Sequence, residues 1–185
     1  ATDKSVNWAN WPLYLDEDED GNHPTLEAFS AATGIAANYI VDVDDNNSYF
    51  AKVKDQLALG QDVGADTVCL TEWMVSRWIR RGWTQKFNLD NIPNHANVVD
   101  TLLNPDFDLG RQSSLPFQGG FAGFVYNTDL VTAPVNTLED LWREDLKGRV
   151  VVLSELRDTL GVIMLGQGAD ITAFTSDDFY NALDT

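Results

Sequence analysis

Gly148-Arg149-Val150-Val151-Val152-Leu153-Ser154-Glu155-Leu156-Arg157-Asp158-Thr159-Leu160-Gly161 is the stretch on which the fold reading turns. Four consecutive aliphatic residues of β-preferring type, bounded by Gly148 and by polar residues, read as a strand covered on both faces, as in a parallel sheet. Ligands of open α/β sheets bind in the crevice beyond the carboxyl ends of such strands. Glu155 and Asp158 therefore fall where a site is expected, and two carboxylates suit a cation. The same pair also reads as a helix cap at Asp158 beside a solvated acid at Glu155, because acids cluster at helix starts.

Upstream, strand and helix patterns alternate. Ser5-Val6-Asn7-Trp8-Ala9-Asn10-Trp11 reads as a first strand, closed by Pro12, which removes a backbone donor and leaves Trp11 and Tyr14 at the strand's carboxyl end. Residues 24–33 read as a helix with proline in its first turn and Gly34 as its left-handed cap. A second strand follows over 35–43. A helix capped by Asn47 or Ser48 carries Tyr49, Phe50, Val53 and Leu57 at helical spacing. A third strand over 65–70 runs through Thr71 into a helix over 72–81 that Gly82 closes. This order of strand, helix, strand, helix, strand, helix argues for an α/β protein with a parallel sheet.

Trp73, Trp78 and Trp83 crowd the third helix, and an aromatic stripe of that kind is more often core than site. Residues 88–109 are turn-rich, with one short helix at most and His95 exposed. Residues 118–127 form an apolar strand pierced by glycines, suited to a hinge crossing. Thr137-Leu138-Glu139-Asp140 opens a helix, and Ser176 caps the last one. The organisation expected is an N-terminal lobe over 1–122, a crossing over 123–130 and the start of a second lobe over 131–185. One obvious strand cannot cover its own faces, so the second lobe reads as incomplete.

Asp16, Asp18, Asp20, Gly21 and Glu27 have the spacing of an EF-hand calcium loop, although a strand precedes them and Pro24 interrupts the end. The alternative is a solvated acidic turn. Twenty-nine acidic against 12 basic side chains give a formal charge of -17, a field that repels nucleic acid and attracts cations. Six tryptophans beside that acidity suit a site for organic cations. No run is long enough for a membrane-spanning helix, and Ala1-Thr2-Asp3-Lys4 lacks the regions of a signal peptide, so the N-terminus reads as mature or trimmed. The single cysteine, Cys69, reads as a buried strand thiol.

Catalytic signatures are sparse: two histidines in loops, no nucleophile turn and no zinc ligand set. Gly161 and Gly166 have the spacing of a phosphate loop, but Gln167 stands where its lysine belongs. Two carboxylates on one turn seldom face each other across a glycoside. Binding, rather than catalysis, is the expected activity.

Taken together, Asn10-Trp11-Pro12-Leu13-Tyr14, Ala65-Asp66-Thr67-Val68-Cys69-Leu70-Thr71-Glu72-Trp73, Gly82-Trp83-Thr84-Gln85-Lys86, Leu138-Glu139-Asp140-Leu141-Trp142, Lys147-Gly148 and Glu155-Leu156-Arg157-Asp158 closely resemble the bacterial spermidine/putrescine-binding proteins of ABC transporters. The resemblance implies a two-lobed periplasmic-binding-protein-like fold of type II, longer than this chain, with ligand clamped between lobes. It implies an extracytoplasmic solute receptor, with an ABC permease as partner and membrane association only through that permease or a removed lipid anchor. Residue by residue, it implies that Trp11 and Tyr14 flank the cationic ligand, that Thr71 and Trp73 stand where the family has a serine and a tyrosine, and that Glu155 and Asp158 bind amine groups with their lengths exchanged. Two other readings stay open: a receptor for a different small organic cation, and a calcium-binding acidic scaffold or adhesion module.

Overall fold

The computed structural model describes residues 4–185, and its chain divides into two compact units between Gln118 and Gly119. Ala1, Thr2 and Asp3, where the sequence was read for a leader, lie outside the described residues.

The first unit is built on three parallel strands, β1 (Ser5–Asn10), β2 (Ala36–Val41) and β3 (Thr67–Val68), in the order β2-β1-β3. The register pairs Ser5 with Ala36 through to Asn10 with Val41, and Ala9 with Val68. Parallel neighbours need crossover helices. Helix α1 (Pro24–Thr33) joins β1 to β2, and α2 (Asn46–Ala58) carries the chain back across β1 to β3. The strand order thus reverses at β1, which makes the carboxyl ends of β1 and β3 the topological switch point of the sheet.

Local chemistry explains most of the boundaries. Pro24 sits in the first turn of α1, and Gly34 ends it at φ 70°. The cap of α2 is Asp45, whose carboxylate accepts from the backbone N–H groups of Asn47 and Ser48. That corrects the expectation of a cap at Asn47 or Ser48, which are its donors. The strands expected over 35–43 and 65–70 shorten to β2 and β3 where the ladder to β1 ends. Helix α3 (Glu72–Arg80) follows β3 after three residues. Ala9, Val43, Tyr49, Val53, Met74 and Trp78 form the core between sheet and helices, with Trp73 and Trp83 packed partly buried against it. The turn-rich stretch holds two 3-10 turns and the one-turn helix α4 (Asp100–Leu103), and His95 is half-buried rather than exposed because its Nε2 donates to the Gly110 carbonyl at 2.9 Å.

The second unit contains α5 (Leu156–Gly166) and α6 (Ser176–Leu183), packed through Leu160, Met164 and Ala182. Two expected strands are absent. Residues 148–154 and 118–127 have no ladder partner among the described residues. Val151 is 92% exposed and Phe121 fully so. Aliphatic composition favours a strand, but only a neighbour's backbone groups complete one. The expected opening at residues 137–140 is a 3-10 turn at Glu139–Trp142, because the Asp140 carboxylate folds back onto the N–H groups of Asn136 and Thr137. Thr175, not Ser176, caps α6, in a reciprocal box with Asp178.

Candidate functional site

Trp11 is the first residue beyond β1, and each of its polar atoms is tied down. Its N–H donates to Asn10 Oδ1 at 2.8 Å, its indole Nε1 donates to the Cys69 carbonyl at 3.1 Å, and its carbonyl accepts from the Tyr39 hydroxyl. The indole bond spans the switch point from β1 to the end of β3. Beyond Pro12 the backbone enters the left-handed region at Leu13, with φ 62°, an uncommon conformation for a leucine. This turn brings Tyr14 back onto Trp11, with ring centroids 5.9 Å apart and planes at 26°. Phe117 continues the stack, 6.4 Å from Tyr14 at 27°, and meets Trp8 edge-on. Sequence reasoning put Trp11 and Tyr14 at the carboxyl end of the strand, where they lie, but did not foresee Phe117 in the ring stack, whose only local signal is Leu115-Pro116-Phe117 ahead of a glycine run.

The rings touch one another. A methylene chain between two aromatic faces needs about 7–8 Å, two van der Waals contacts. No methylene chain fits between the Trp11 and Tyr14 faces unless the rings part.

Thr71 caps α3 through its backbone, and its carbonyl accepts from Met74 and Val75. Its side chain is engaged elsewhere. Buried Asn46 donates from Nδ2 to Thr71 Oγ1 at 2.9 Å and accepts from the Thr71 N–H at 3.0 Å. This reciprocal pair locks the N-termini of α2 and α3 together beside the strand ends. Trp73 is half-buried against the core, with the Arg77 guanidinium 5.4 Å from its ring centroid. Between them, Glu72 accepts from buried Arg111 at 2.6 Å, a contact with no local signal along the chain.

Glu155 and Asp158 belong to the second unit. Glu155, rather than Asp158, is the N-cap of α5, accepting from the Arg157 N–H at 3.3 Å and paired with the Arg157 guanidinium at 3.5 Å. Asp158 lies exposed in the first turn. Both acids stand at a helix start, where the unpaired N–H groups favour negative charge.

In the acidic turn, Asp18 Oδ1 accepts from the N–H groups of Asp20 and Asn22 and from the Asn22 side chain. The Asn22 side chain, then backbone N–H groups, hold the Asp18 carboxyl below its usual range. The Asp16 carboxylate accepts from Thr25, and its carbonyl accepts from His23. Among the described residues no three His, Cys, Asp or Glu side chains converge to hold a metal ion. Burial pushes the half-buried Cys69 thiol up, away from the thiolate.

No family model matches the chain. Among curated proteins it is 27% identical over 171 residues to spermidine/putrescine-binding periplasmic protein 1 of Haemophilus influenzae, covering 92% of this chain and 45% of the relative. The Escherichia coli spermidine/putrescine-binding periplasmic protein is 27% identical over 80% of this chain and 42% of its own. The putrescine-binding periplasmic protein SpuD of Pseudomonas aeruginosa is 30% identical over 77% of this chain and 36% of its own. The chain thus spans less than half the length of these relatives. Of solved structures, the spermidine/putrescine ABC transporter substrate-binding protein PotD of Streptococcus pneumoniae, in complex with calcium and HEPES, superposes with TM-score 0.74 at 23% identity, over 98% of this chain and 52% of its own. A second, from Listeria monocytogenes, reaches TM-score 0.80 at 18% identity over 98% and 53%. The α/β, two-lobed periplasmic-binding-protein-like fold expected from the sequence holds, and this chain matches about half of it. By sequence, over less than half of their length, the chain is similar to the bacterial spermidine/putrescine-binding periplasmic proteins, and its fold matches theirs.

Proposed function

We propose that the chain is part of an extracytoplasmic receptor that binds a polyamine and delivers it to an ABC permease. The observation that carries the reading is the Trp11–Tyr14 stack, held at the carboxyl end of β1 where the strand order reverses. Relatives named for binding spermidine and putrescine in the periplasm support it. A polyamine at neutral pH is a string of ammonium groups on methylenes, so it calls for aromatic faces along the stem and carboxylates at the ends. In this reading the stacked Trp11 and Tyr14 rings part and supply their faces to the stem, Thr71 and Trp73 border them, and Glu155 and Asp158 take ammonium groups. Residues 123–130 are the crossing about which the lobes close. Each charge-assisted hydrogen bond contributes about 1.5–3 kcal/mol and each cation-π contact about 0.5–2 kcal/mol, enough for micromolar binding after ordering costs.

Binding is the activity and no bond is made or broken. The location is outside the cytoplasmic membrane, with contact to it through the permease or a lipid anchor. Among the described residues no helix is long and apolar enough to cross a membrane.

The test is calorimetric titration of spermidine and of putrescine into the full-length gene product. Tyr14→Ala and Glu155→Gln are each expected to weaken binding about tenfold, one cation-π contact or one charged hydrogen bond. Glutamine keeps an acceptor for the α5 cap while removing the charge. No heat with either polyamine sinks the reading. A panel of other organic cations separates the related receptor, and chelator-sensitive melting without any amine effect favours the calcium scaffold.

A further inference from the structure

The last turn of α3 concentrates positive charge on a strongly acidic protein. Arg77, Arg80 and Arg81 are three of only 12 basic side chains, on a chain with formal charge -17. Arg77 and Arg81 lie one turn apart, and Arg80 is beside them. Among the described residues none of the three is paired with a carboxylate, although 29 are available in the sequence. Aromatic rings hold two of them instead. The Arg77 guanidinium lies 5.1 Å from the Phe50 centroid and 5.4 Å from that of Trp73. The Arg81 guanidinium lies 5.6 Å from Phe50 and 5.1 Å from Trp83. Arg80 donates to the Ser76 hydroxyl.

A helix C-terminus favours a cation, which accounts for basic residues here. It does not account for guanidinium groups laid on rings with no ion pair among the described residues. A stacked guanidinium is pre-oriented and keeps its in-plane N–H donors for a carboxylate taken side-on. Arginine, tryptophan and phenylalanine together are also the residue types enriched where proteins dock. We infer that this face of α2 and α3 is a docking surface for an acidic segment of a protein partner.

The net charge decides between occupants. An extended anionic membrane meets the repulsive field of the whole molecule, whereas a short acidic segment meets the arginine cluster within about one Debye length, about 10 Å at 0.1 M salt. A polyamine is repelled by the cluster. The inference therefore stands apart from the polyamine reading.

A capped octaglutamate peptide is the probe, titrated into the protein at low ionic strength and followed by tryptophan fluorescence and calorimetry. One peptide is expected to bind, about tenfold more weakly to the Arg77→Gln/Arg81→Gln variant and also more weakly at physiological salt, where screening shortens the reach of the charges. If that variant does not fold, Arg80→Gln, which disturbs no ring, is expected to lose affinity about threefold. Phosphatidylglycerol vesicles are expected not to bind. Absence of peptide binding, equal binding by parent and variants, or binding of vesicles in place of the peptide overturns the inference.

Discussion

Glu72 has a side chain 57% exposed, yet it is the counter-charge of a guanidinium only 2% exposed. Arg111 also donates to the Leu102 carbonyl at 2.6 Å and to Ser114 Oγ at 3.2 Å. Exposure alone would make Glu72 replaceable at little cost. Its partner's burial reverses that, because Glu72→Gln leaves a desolvated cation without an anion. The variant is expected to lose about 1–3 kcal/mol in chemical denaturation, short of the largest buried-pair losses because water reaches the glutamate. A loss indistinguishable from that of a neighbouring exposed acid such as Asp55 would contradict this. Tyr49 makes the opposite case. Its hydroxyl is buried and has no hydrogen-bond partner among the described residues, and burial, with Asp42 second, pushes its pKa from 10 up to about 12. The neutral form is favoured by folding, so its contribution is complete below pH about 10 and is lost as pH rises through about 12. Tyr49 should be the last of the five tyrosines to ionise in an absorbance titration, and Tyr49→Phe should remove that late step without destabilising the protein. Ionisation of all five together would exclude the assignment. At this scale Trp11 and Tyr14 were legible, since Pro12 ends the strand beside them. Arg111 and Phe117 were not, because their partners lie far away along the chain.

Elements were legible where local chemistry sets them. Helices α1, α2 and α3 lie where apolar spacing put them, within two or three residues at the termini, and the parallel order followed from their alternation with strands, whereas the cap of α5, Glu155, stands three residues before the one expected at Asp158. Caps were less so, since Asp45 and Thr175 each stand beside residues of equal capping strength. Strands at 118–127 and 148–154 failed because pairing is non-local. Gly161 and Gly166, spaced like a phosphate loop, are helical residues of α5. Gly166 has a packing reason to be glycine: a Cβ there would lie 2.6 Å from Leu138 Cδ2 and 2.7 Å from Leu138 Cβ. Alanine in a helix normally gains about 1 kcal/mol over glycine. Overpacking against a buried leucine costs about 1–3 kcal/mol, and the contact at Cβ cannot be relieved by turning the side chain. Gly166→Ala is thus expected to lower the melting temperature by a few degrees, at about 2–4 °C per kcal/mol for a chain of this size. A rise in melting temperature would mean that Leu138 does not pack there.

At the scale of the molecule, charge is the property read most directly from sequence and the one that local contacts leave largely intact. Lys52, Arg111, Arg143, Lys147 and Arg157 are paired with acids, but 29 acids outnumber 12 bases, so the carboxylates cannot all be neutralised within the chain. The summed field draws in any cation from beyond contact range. Screening sets that range, about 30 Å at 0.01 M salt against about 8 Å at 0.15 M. If the ligand is a polyamine, its capture rate should fall several-fold across that interval, while the dissociation rate, governed by short-range contacts, changes less. Spermidine carries three ammonium groups and putrescine two, so the decline should be steeper for spermidine. Stopped-flow tryptophan fluorescence at a series of salt concentrations measures both slopes on one protein. Equal slopes for the two amines, or a capture rate indifferent to salt, would mean that the acidity serves solubility and that the ligand is recognised by contact alone.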